Sequence, residues 1–194
     1  MTQVTVLGLG NVLMGDDGFG PFVVRAFDAR YELGPGVEVI DLGTPGLDLT
    51  PWLADARHVI IVDTVRASGP AGSIKVYDKA DIVRRAPSSR VGPHDPGLKE
   101  TLLTLEFADR APETVTLVGV VPGRIAMGTT LSDSVAAAVP TAIGAIADRL
   151  AGLDVVARRR TGDRTVDNEG CPWWTNGAFT ADERVRGRGA IGGE

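Results

Sequence analysis

Short apolar runs alternate with segments of helical period along most of this chain. Val4–Leu9 is apolar almost without interruption, the pattern of a strand covered on both faces. After a glycine-rich turn, Pro21 stands where a first-turn proline is tolerated. Phe22, Val23, Ala26 and Phe27 then recur at helical spacing up to about Leu33, where Gly34-Pro35-Gly36 ends the pattern. Residues 37–41 predict a second strand, followed by a turn and a short helix over 47–54. Residues 58–63 form the most apolar run and predict a third strand. Residues 74–77 predict a fourth, 84–93 a loop, and 97–107 a helix carried by Leu98, Leu102, Leu103 and Leu105. Residues 115–121 predict a fifth strand. Ser132 is placed to cap a helix over 135–150 that aligns Val139, Ile143, Ile146 and Leu150 on one face.

Strand–helix alternation of this kind predicts an α/β fold, a three-layer sandwich. Its largely parallel, twisted sheet of about five strands would be flanked by helices. The domain is expected to span 1–156. Beyond it, 157–194 is rich in Arg and Gly with almost no aliphatic periodicity, a composition that predicts a disordered tail. Trp173-Trp174 interrupts that tail, as a pair that could dock on the body or on a partner.

Composition narrows the class. The chain has 194 residues and a net charge of −5, which gives no electrostatic reason to expect nucleic acid or an anionic membrane as partner. No run approaches the ~20 apolar residues needed to span a bilayer, and residues 1–9 show no basic n-region followed by an apolar h-region, so no signal peptide is expected there. The lone Cys171 cannot form an internal disulfide. A cytoplasmic protein without membrane insertion is expected.

The chemistry concentrates in the turn after the first strand. A nucleotide-binding loop would aim backbone N–H groups at phosphate and keep fixed negative charge away. Here Asp16-Asp17 occupies that spot, and the dinucleotide pattern starting at Gly8-Leu9-Gly10 finds Leu13 where it needs glycine. Asp63 ends the third strand, and His94 sits in a Pro/Gly-rich loop. Each has an ordinary account: a helix-capping acid pair, an Asx turn and a surface histidine. Together they offer two carboxylates and a neutral imidazole at what should be one sheet edge. Such a set leaves coordination positions open on a cation. Cys171 lacks an activating neighbour, and no GxSxG elbow is present.

These residues resemble the hydrogenase maturation endopeptidase family. The first block is Gly8-Leu9-Gly10-Asn11-Val12-Leu13-Met14-Gly15-Asp16-Asp17-Gly18-Phe19-Gly20. The others are Asp41-Leu42-Gly43-Thr44-Pro45-Gly46, Ile60-Ile61-Val62-Asp63-Thr64, Pro93-His94 with Gly97-Leu98, and Thr116-Leu117-Val118-Gly119-Val120-Val121-Pro122. The resemblance implies an endopeptidase, aspartyl-type or nickel-dependent, that trims the C-terminal extension of a nickel–iron hydrogenase large-subunit precursor. Trimming would follow nickel insertion, so that nickel arrives within the substrate. The family's metal ligands fall on Asp17, Asp63 and His94, which would also be the catalytic set, with Asp16 a candidate base. Asp41, Gly43 and Thr44 would border the same cleft and hold substrate. Where many relatives carry glutamate as first ligand, Asp17 reaches about one methylene less. The competing readings are a nucleotide-binding module and a nickel-delivering accessory protein without protease activity. The acid pair counts against the first and the scarcity of soft ligands against the second.

Overall fold

The computed structural model describes residues 4–44, 49–85 and 97–160. In chain order these form β1 (Val4–Leu9), a one-turn 3-10 helix (Gly15–Gly18), α1 (Phe19–Arg30), β2 (Tyr31–Leu33) and β3 (Val37–Gly43). There follow α2 (Thr50–Leu53), β4 (His58–Thr64), β5 (Ile74–Asp78), α3 (Lys79–Arg85) and α4 (Leu98–Phe107). The series closes with β6 (Thr114–Val120), α5 (Asp133–Ala136), α6 (Val139–Ala151) and β7 (Ala157–Arg159).

Five strands make one sheet in the order β3-β1-β4-β6-β5. β1 runs parallel to β3 and β4, and β4 parallel to β6. β5 joins the edge antiparallel to β6. β1 and β4 lie inside the sheet and are buried along nearly their whole length, which is why their sequences lack alternation. Alternate residues feed two cores. Val4, Val6, Ile60, Val62, Val118 and Val120 meet α1 and α6 on one face. Leu7, Val59, Ile61 and Leu117 meet α2, α3 and α4 on the other. The three-layer sandwich with a mostly parallel five-stranded sheet is therefore the observed architecture.

Several local readings change. α1 stops at Arg30, because Tyr31–Leu33 turns extended and pairs antiparallel with Ala157–Arg159. That second ribbon carries the folded chain past the domain end expected at Val156, while 161–194 lies outside the described residues. α3 occupies residues through Arg85, where a loop was expected from Arg84. The Asp78 carboxylate caps it, accepting the Asp81 N–H at 2.8 Å. The expected helix over 135–150 is two helices, because Pro140 has no N–H and its ring clashes with the carbonyl one turn back. Asp133–Ala151 is nonetheless the one stretch among the described residues long and apolar enough to cross a bilayer by composition. In this fold Val135, Ala142, Ile143, Ile146 and Leu150 are buried against the sheet.

Gly20 is the close approach that seats α1. A Cβ there would fall on the carbonyl oxygens of Leu9 and Val62, both of them backbone in interior strands. Gly20→Ala is expected to destabilise the protein by about 1–3 kcal/mol, since neither strand can give way. The midpoint of urea unfolding measures it, and an unchanged midpoint would mean that helix and strands are not in contact there.

Candidate functional site at the carboxyl edge of the sheet

The chain leaves β1 toward β3 on one side, then returns to β4 on the other side of β1. That reversal opens a crevice above the carboxyl ends of β1 and β4, the place where open α/β sheets bind ligands. Asp17 follows the first of these strands and Asp63 lies in the second, so topology alone brings two residues remote in sequence to one edge.

The turn between β1 and α1 is fixed by short-range bonds. Asn11 Oδ1 accepts the Leu13 N–H at 3.0 Å, and the Asn11 carbonyl accepts the Met14 N–H at 3.0 Å. Gly10 has φ +141°, and a side chain there would collide with the Asp17 carbonyl, so the turn closes only on glycine. Asp17 is half-buried. Its Oδ2 accepts the Asn11 N–H at 2.9 Å, and its Oδ1 lies 3.4 Å from the Thr64 hydroxyl. Thr64 in turn gives its N–H to Asp63 Oδ1 at 2.8 Å. Asp63 and Thr64 are both fully buried. Asp17 and Asp63 thus engage the same residue through different groups, Asp17 the Thr64 hydroxyl and Asp63 the Thr64 backbone N–H.

Asp16 differs from its neighbour. It is 1% exposed and takes four hydrogen bonds. Oδ2 accepts the N–H groups of Gly123 at 2.8 Å and Arg124 at 2.6 Å and the Ser132 hydroxyl at 2.9 Å, while Oδ1 accepts the Ser132 N–H at 2.6 Å. Burial pushes the carboxyl's pKa upward, but the backbone donors of Ser132 and Arg124, the Ser132 hydroxyl and the Gly123 N–H outweigh it and hold the pKa below its ordinary value. Asp16 ties the loop after β6 to the loop after β1. Ser132 does stand at the start of α5, but its hydroxyl serves Asp16 rather than the helix. A buried carboxylate that accepts four hydrogen bonds and is held below its ordinary pKa is fitted to fasten the two loops.

The third expected ligand, His94, lies outside the described residues, as do Pro45 and Gly46 of the second loop. Among the described residues, no three His, Cys, Asp or Glu side chains are grouped to hold a metal ion. Asp41 does not share the Asp63 face. It alternates with Val39 toward α1, where it accepts from Arg25 Nε at 3.1 Å and takes the Gly43 N–H at 3.2 Å. Asp63 alternates with Val59 and Ile61 toward the opposite core. The Gly43 carbonyl accepts the Gly10 N–H at 2.9 Å, and Thr44 follows it exposed at the rim. The structural role of Asp16 was missed from sequence; its only signal was a second acid next to a candidate ligand.

A helix-covered, mostly parallel sheet with carboxylates fixed at its switch point defines a small α/β protein of the kind that builds its site at the carboxyl edge of the sheet. The chain belongs to the hydrogenase maturation protease family, whose model matches residues 21–149. It is 31% identical over 163 residues to the hydrogenase 2 maturation protease of Escherichia coli (strain K12), covering 83% of this chain and 99% of that one. Its fold is similar to the solved hydrogenase maturating endopeptidase HybD from E. coli, with TM-score 0.75 and 31% identity over 81% of this chain and 98% of that one. A hydrogenase 2 maturation peptidase from a Thaumarchaeota archaeon matches with TM-score 0.59 and 34% identity, covering 77% and 98%. Family membership makes the chain a protease.

Proposed function

We propose that this protease removes the C-terminal extension of the large-subunit precursor of a nickel–iron hydrogenase, and that nickel already seated in the precursor is what it recognises. The observation that carries the reading is the pair of carboxylates at the switch point, Asp17 on the Thr64 hydroxyl and Asp63 on the Thr64 N–H. Their oxygens, with an imidazole from His94, make a donor set of the kind nickel accepts. Asp17, Asp63 and His94 would hold the substrate's nickel, which when bound supplies Lewis-acid polarisation of a carbonyl or of a water.

The protein's own part is positional. Asp17 is half-exposed and spends one short hydrogen bond on the Asn11 N–H, so it keeps acceptor capacity for a water or the scissile amide. Asp16 holds the two loops that carry the rim and takes no proton. The lone Cys171 and the acidic balance of the chain support a cytoplasmic site of action.

The test compares purified precursor with and without nickel, with cleavage followed by intact mass. Loaded precursor is expected to lose its extension and the nickel-free form to stay intact. Equal cleavage of both would defeat nickel recognition, and cleavage of neither would defeat the protease assignment to this substrate.

A further inference from the structure

Among the described residues, few large apolar side chains are left exposed, and two of these stand together beside the site. Leu13 is 56% exposed and Met127 is 89% exposed. They belong to different loops, yet their backbones adjoin. The Gly128 N–H donates to the Leu13 carbonyl at 2.9 Å, the Gly15 N–H donates to the Gly128 carbonyl at 2.8 Å, and Met14 bridges to Gly128. Asp16 then fastens the same two loops through Gly123, Arg124 and Ser132. These bonds hold the two exposed apolar side chains on neighbouring, fixed backbone.

We propose that Leu13 and Met127 form an apolar contact that seats the folded body of the large-subunit precursor beside Asp17. The proposal rests on the function proposed above. Leu13 is two hydrogen bonds from the Asp17 carboxylate, through Asn11. A protein substrate whose chain reaches Asp17 covers roughly 800 Å² of this surface, so the pair falls inside its footprint. Rigid presentation lowers the ordering cost of binding. Leu and Met, without charge and with adaptable shape, suit an apolar patch on a folded partner rather than an extended polar peptide.

The test uses the full chain and the nickel-loaded precursor. The double variant Leu13→Ser with Met127→Ser is expected to raise KM for precursor about tenfold or more, with kcat within about twofold of wild type and an unchanged melting temperature. Met127→Leu should retain most of the wild-type affinity. Direct binding of precursor in an Asp63→Asn background, where nothing is cleaved, should weaken by a similar factor when the two serines are added. That arm separates the two proposals. If the wild-type protein cleaves no precursor, the protease reading fails, while the binding arm still decides the contact. An unchanged KM and an unchanged binding constant would overturn the contact. So would self-association of the wild type that the serines abolish while precursor binding persists, since the patch would then belong to a second copy.

Discussion

Asp63→Asn is expected to cut precursor processing by more than about 100-fold while leaving the fold in place. Asp63 is fully buried near the end of an interior strand, with Oδ1 held by the Thr64 N–H. Asparagine has nearly the same shape and can still accept that bond through its amide oxygen, so the structural loss should be on the order of 1 kcal/mol. What it cannot supply is the negative charge that the proposed nickel recognition requires. Loss of groups that merely orient a ligand costs roughly 10–100-fold, and loss of a ligand itself should exceed that. The rate of extension removal and the melting temperature, measured on one preparation, check both halves of the expectation. A variant that processes at the wild-type rate would remove Asp63 from the site. A variant that fails to fold would make the residue structural, and Asp17→Asn, at a half-exposed position, would then carry the test.

The interior strands were legible because burial on both faces leaves an unambiguous apolar run, as in Val59, Ile60, Ile61 and Val62. The direction of β5 was not, since Ile74–Asp78 carries no local mark of the strand it will pair with, and its antiparallel docking on β6 is a tertiary choice. α3 could have been read from Asp78 and its N–H partner three residues on, but Ile82, the one buried residue among its described side chains, gives a weak periodic signal. The break between α5 and α6 was written in Pro140 and masked by the alanine-rich run around it.

The site divides in the same way. The placement of Asp17 and Asp63 at the carboxyl ends of neighbouring parallel strands followed from strand order, which the alternation of elements already implied. The roles of Asp16 and Asp41 depended on which way each side chain turns. Adjacent residues of a tight turn point apart, so Asp16 meets the loop after β6 while Asp17 faces Thr64. In β3 the strand period sends Asp41 to Arg25 instead of to the face of Asp63. Adjacency in sequence suggested shared chemistry for Asp16, and a place at the end of the second strand suggested it for Asp41; side-chain direction gives each its own partners.

Asp16→Ala is expected to destabilise the protein by about 3–5 kcal/mol, the largest stability effect of any single substitution at this rim. The substitution strands three backbone N–H groups and one hydroxyl that now converge on a buried charge, and each hydrogen bond to a charged group is worth about 1.5–3 kcal/mol before water partly replaces it. Asp16→Asn should cost less, because the amide oxygen still accepts while the amide N–H₂ faces donors. The pH dependence identifies the cause. The folded carboxyl's pKa is lowered, so its stabilisation is complete above the unfolded value of about 3.9 and is lost as pH falls through the lower folded value. The gap in unfolding free energy between wild type and Asp16→Asn should therefore be largest near pH 7 and shrink below about pH 4, as measured by urea titration at several pH values. A gap that stays constant down to pH 3 would mean that Asp16 fills space at the loop junction and its charge binds nothing. Because the same carboxylate holds the backbone beneath Leu13 and Met127, Asp16→Asn should also weaken precursor binding, even though it is neither a proposed nickel ligand nor a proposed substrate contact.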